Sequence, residues 1–195
     1  TCRDCHFGIV HNPATATDRM NFCLTCHADA PDDAPQMRDC NVCHQAQLAM
    51  NEGTGVAGVE DLPSMMYGEA ADMTCTDCHT GVTKGVYRSS ASTCTDCHED
   101  EAYVDVFDEW AETTEARIDE LKALRIEVEA ELVDADAANR DTAAVWDIYS
   151  RALRNLRFVR HDGTHGVHNN EYAVAILDTV EADLKKALAQ LDAVW

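Results

Sequence analysis

The most constraining feature of this sequence is one short word used five times. Two cysteines separated by two residues are followed at once by histidine, at Cys2/Cys5/His6, Cys23/Cys26/His27, Cys40/Cys43/His44, Cys75/Cys78/His79 and Cys94/Cys97/His98. These five words use all ten cysteines of the 195-residue chain. A disulfide framework would explain the even count but gives no reason for a histidine after every pair. Structural zinc would explain two thiolates on one turn, yet zinc knuckles work in pairs and five is odd. Attachment of c-type heme accounts for the whole word: both thiols add to the porphyrin vinyl groups, and the adjacent histidine is held beneath the iron as its proximal ligand.

The motifs TCRDCH, FCLTCH, DCNVCH, TCTDCH and TCTDCH resemble those of multiheme c-type cytochromes. The expected cofactor is five heme c. Heme c is attached outside the cytoplasm, so the protein is expected to be exported, to the periplasm or beyond, and the chain to begin after a leader, with an engineered start as the alternative.

The chain divides in two. Every cysteine and every methionine lies before residue 100, and the second half is rich in Ala, Leu, Val, Glu and Asp. Residues 1–100 are expected to bind the five hemes and residues 101–195 to form a helical region that packs on them and supplies distal ligands. Five attachments in under a hundred residues leave little chain for an ordinary core, so porphyrin is expected to be much of it. Turn-rich stretches such as His11-Asn12-Pro13, Gly53-Thr54-Gly55 and Leu62-Pro63-Ser64 point to short helices at the motif histidines and irregular loops elsewhere.

After residue 100 the apolar period changes to three and four. Ile118, Leu121, Leu124, Val128 and Leu132 form one series, Val145, Ile148, Ala152, Leu156 and Val159 a second, and Tyr172, Ile176, Val180, Leu184 and Leu191 a third. Three amphipathic helices are predicted near 101–134, 141–160 and 170–193, with breaks at Asp134-Ala135-Asp136 with Asn139 and at 161–169, and Asn169 as N-cap of the last. The fold class is therefore mainly α: an irregular multiheme domain followed by an antiparallel helical hairpin or three-helix region. The block from Trp146 through Arg151, Asn155, 162–169 and Tyr172 is similar to the C-terminal region of cytochrome c nitrite reductases and their multiheme relatives. That resemblance implies a distal heme ligand at His168.

Five irons with five proximal histidines leave His11, His161, His165 and His168. A second neutral imidazole makes a low-spin iron suited to outer-sphere electron transfer. Three of the four lie in one eight-residue segment beside Gly163 and Gly166, where backbone can approach a flat macrocycle. His11, five residues after His6, is expected to serve a neighboring heme. Four distal histidines for five irons leave one iron different, so Met, Lys84, the N-terminal amine, a partner's histidine or an open position must complete it. Met20, Met37, Met50, Met65, Met66 and Met73 all lie in the heme half, with core packing as the alternative role for each. Arg151, Arg154, Arg157 and Arg160 are expected to pair with the acidic first helix (Glu112, Glu115, Asp119, Glu120, Glu127) or to bind heme propionates.

The net charge is −21, carried almost equally by the two halves. Such a surface repels nucleic acid, which is bound through Lys and Arg. No run of about 18 apolar residues is present to span a bilayer. The reading with most support is an electron carrier, its partners redox proteins or identical subunits of a cytochrome filament. A nitrite- or hydroxylamine-type oxidoreductase with one open heme is the alternative, against which all five motifs end in His where those reductases carry Lys at the catalytic heme.

Overall fold

The computed structural model describes residues 44–64, 74–79 and 89–193. Within them run five α-helices, α1 (Gln45–Glu52), α2 (Cys75–Cys78), α3 (Ala102–Ala137), α4 (Ala143–Asp162) and α5 (Asn170–Asp192), with a 3-10 helix at Ala91–Asp96 before α3. No strand occurs among the described residues. The mainly helical class read from the sequence is the observed one.

The three long helices fall close to the predicted ranges. Helix α3 is 36 residues, about 54 Å at 1.5 Å per residue. It runs straight through Asp134-Ala135-Asp136, where the sequence pattern predicts a break. Two aspartates of mediocre helix propensity cannot stop a helix whose Ala135, a strong helix former, is fully buried between them; the stop comes at Asn139, with φ of 55°. Thr114, Ile118, Leu121, Val128, Leu132 and Ala135 form its buried face. Helix α5 packs on both α3 and α4, and its Tyr172, Ile176, Leu177, Val180 and Leu184 are shielded from solvent completely or nearly so. Leu124 and Ile148 are only partly buried, at the margin of that core. The predicted cap is present, Asn169 Oδ1 accepting from the Tyr172 N–H at 3.1 Å.

The core of this bundle is built from protein side chains packed on one another. Aliphatic side chains of α3, α4 and α5 enclose one another, and Met50 of α1 joins them with no exposed surface. Met50 therefore takes the packing role.

Helix α1 and the loop after it are stitched to the bundle by hydrogen bonds that cross the chain. Val56 N–H donates to the Tyr172 hydroxyl (3.2 Å), Asn155 Nδ2 to the Ala57 carbonyl (3.0 Å) and Asn169 Nδ2 to the Leu62 carbonyl (2.8 Å). Gly53, at φ 64°, ends α1, and a β-carbon there would sit 1.7 Å from the Leu62 oxygen. Only glycine fits.

A candidate heme-ligand site at the α4–α5 turn

Three of the five repeated words reach into the described residues. His44 precedes α1, and one turn on, Gln47 Nε2 donates to the carbonyls of His161 (3.0 Å) and Asp162 (3.2 Å) at the end of α4. Helix α1, which follows His44 directly, is thereby anchored beside the histidine-rich turn.

The fourth and fifth motifs share one local geometry. In each, the histidine N–H donates to the carbonyl of the first cysteine at 2.9 Å, His79 to Cys75 and His98 to Cys94. The two cysteines of a word stand three residues apart on one helical turn, hence on one face, with the histidine just beyond. In the fourth word a capping box sets the turn: Asp77 Oδ2 accepts from the Thr74 N–H (2.6 Å) and hydroxyl (2.9 Å), and those bonds hold the Asp77 carboxyl below its usual range. The two words also lie near each other. Burial raises the Cys78 thiol above its ordinary value, and the neighboring Cys94 and Cys97 sulfurs add to the shift. Burial likewise raises Cys94.

These four cysteines are free thiols rather than disulfides. Among the described residues no three His, Cys, Asp or Glu side chains converge as a tetrahedral zinc site requires.

The segment between α4 and α5 brings a second histidine to the fourth word. The rings of His79 and His168 stand 6.3 Å apart, centroid to centroid, at an interplanar angle of 59°. Two imidazoles on opposite sides of one metal stand about 6 Å apart by centroid, given metal–nitrogen bonds of about 2.0–2.1 Å. The spacing fits an iron between them. His168 is itself held from behind: its Nδ1 lies 2.5 Å from Asp162 Oδ1, and the Asp162 side chain has 0% exposure. The turn owes its path to Gly163 (φ 76°) and Gly166 (φ 92°), and a β-carbon on Gly166 would meet Thr114 Oγ1 of α3 at 2.7 Å.

The remaining predicted ligands are more dispersed. His161 is exposed at the end of α4; His165, at φ 54°, points its Nδ1 to within 3.8 Å of Glu115 Oε2. His98 stacks on Tyr103, with rings 3.8 Å apart and 13° from parallel. Cys2, Cys5, His6, His11, Cys23, Cys26, His27, Cys40 and Cys43 lie outside the described residues, as do Met20, Met37, Met65, Met66, Met73 and Lys84.

The arginines of α4 divide their partners. Arg151, expected to pair with the first helix or to bind a heme propionate, makes a two-pronged pair with Asp183 of α5 (2.7 and 2.6 Å). Its place on the α5 side of α4 decides this. Arg160 does lie near Asp119 of α3 and helps to lower that carboxyl, after Lys122, which acts more strongly.

Sequence reading missed three residues of the site. Asp162 stands in the turn as an unremarkable acid, Gln47 as a surface amide and Tyr103 as the start of a helix. The only hint at Asp162 is its place inside the cluster of three histidines.

No protein-family model matches the chain, and neither does any curated protein sequence. Among solved structures it is similar to the crystal structure of the outer cell wall cytochrome OcwA, at 27% identity and a TM-score of 0.52 over 83% of this chain. The chain is folded like a cytochrome. It spans 39% of the length of OcwA, so the likeness concerns part of that protein. Together with the repeated Cys-x-x-Cys-His word, the likeness supports a multiheme c-type cytochrome with heme c as cofactor. No helix among the described residues is long and apolar enough to cross a membrane.

Proposed function

We propose that the protein is an electron carrier that binds five c-type hemes covalently and passes single electrons along or between molecules. The observation that carries this reading is the His79–His168 pair, 6.3 Å apart, at the end of a Cys-x-x-Cys-His word. Bound heme c supplies a one-electron iron couple whose potential depends on its axial ligands and surroundings. The ten cysteines serve as thioether anchors, and His6, His27, His44, His79 and His98 as proximal ligands. His168 is the distal ligand across from His79. His11, His161 and His165 serve three of the other four irons. Two imidazoles saturate an iron and keep substrates off it, which suits conduction over chemistry. Residues 1–100 form the heme-binding part and 101–195 the helical support, in a protein acting in the periplasm or outside the cell on redox proteins or, in a filament, on copies of itself.

Intact mass and the pyridine hemochrome spectrum should give five hemes per chain, and a potentiometric titration should resolve successive one-electron steps. A mass equal to the bare polypeptide would sink the reading. Discrete particles alone in electron micrographs would exclude the filament form.

A second reading keeps one observation of its own: nine histidines cannot fill ten axial positions. An iron left open would be a place for nitrite or hydroxylamine to bind. Turnover of either with a reduced viologen, together with a high-spin ferric signal, would favor this oxidoreductase. An entirely low-spin protein without turnover would leave conduction.

A further inference from the structure

The carboxylate of Asp162 is enclosed, yet the structure gives it few donors. Its Oδ1 faces His168 Nδ1 at 2.5 Å; its Oδ2 takes the Thr164 hydroxyl and, at 3.3 Å, the Thr164 N–H. A buried carboxylate left unpaired is costly, so the proton of the neutral imidazole belongs on Nδ1, where the carboxylate accepts it. That leaves the Nε2 lone pair as the ring's one metal-binding atom. Thr164 Oγ1 also accepts the His168 N–H at 3.3 Å, so the ring and its backbone are located by the same two residues. Gln47 of α1 braces the Asp162 carbonyl at 3.2 Å.

We infer that Asp162 is the positioning residue for His168, an anionic acceptor that fixes its tautomer, turns Nε2 toward the iron and strengthens it as a donor, lowering the potential of that one heme. The inference rests on the His79–His168 pairing proposed above. Carboxylates behind metal-bound imidazoles act in this way, raising ligand basicity and locking the ring. A more basic axial ligand favors the ferric state.

The test uses the heme-loaded full chain. Asp162→Asn keeps the shape and removes the charge. It should raise the potential of one heme by about tenfold in its reduction equilibrium, about 59 mV for one electron, with the others unmoved. Thr164→Val removes a competing donor from the same carboxylate and should shift the same heme the opposite way. His168→Ala should convert one low-spin ferric signal to high-spin and so marks which heme is concerned. If His168→Ala does so but the other two variants leave that potential unchanged, or move it in the same direction, the role of Asp162 is overturned and the pairing stands. If His168→Ala alters no heme signal, the pairing falls and the inference with it. Should Asp162→Asn lose its helical circular dichroism, the sign of the Thr164→Val shift decides: downward upholds the inference, and zero or upward overturns it.

Discussion

At the scale of single residues, the charged groups that matter are those with little water around them. Asp183 is 7% exposed and its carboxylate is met by both arms of the Arg151 guanidinium, whereas Arg151 is 37% exposed. Asp183 raises the guanidinium's already high pKa, through hydrogen bonds first and then charge. Replacing Arg151 by Met leaves a buried carboxylate without its partner, and urea denaturation should register a loss of about 1–3 kcal/mol. Asp136 behaves differently because it lies at the surface. Hydrogen bonds from Thr142 and then from the Trp146 indole hold its carboxyl below the ordinary 3.8. The folded state therefore holds this proton less tightly than the unfolded chain does. Its contribution is complete above the ordinary value and disappears as pH falls through the lowered one. Asp136→Asn should lower the melting temperature at pH 6 and by much less at pH 2–3, and an equal drop at both would refute this account.

At the scale of elements, two positions decide how α1 and the loop after it meet the bundle. Asn169 uses both ends of its amide, Oδ1 capping α5 and Nδ2 holding the Leu62 carbonyl. Asn169→Ala should cost about 1 kcal/mol for the cap, with an added loss for the orphaned carbonyl, measurable by urea denaturation. Gly53→Ala should be worse for the loop than for the bundle. The new methyl would strike the Leu62 oxygen, so hydrogen exchange at the Val56 and Leu62 amides should accelerate while α4 and α5 stay protected. The same scale shows why helix ends are harder to read than helix interiors. Apolar periodicity identifies α3, α4 and α5 because burial of one face outweighs small propensities. Asp134-Ala135-Asp136 looks like a break by local preference, and packing of Ala135 overrides it.

Across the whole molecule, the described part is a helical bundle with Cys-x-x-Cys-His words laid along it. The α3–α5 core is closed by its own aliphatic side chains, so a chain made without heme attachment should keep most of its helical circular dichroism and melt cooperatively. Loss of that signal would show that the bundle depends on the cofactor. The words themselves are joined to the support at several points: α1 on α4, the 3-10 helix of the fifth word on α3, and His168 across from His79. Repetition and chemistry alone determined the cofactor class, the three helices, the Asn169 cap and the candidate ligands, because each depends on residue type and spacing along the chain. Which histidine faces which could not be read that way. His79 and His168 lie in different halves, and their meeting is set by how α5 folds back on α4 and how Gly163 and Gly166 turn the chain. Asp162 became legible for the same reason: a carboxylate in a turn is ordinary until packing removes its water and leaves a histidine as its neighbor.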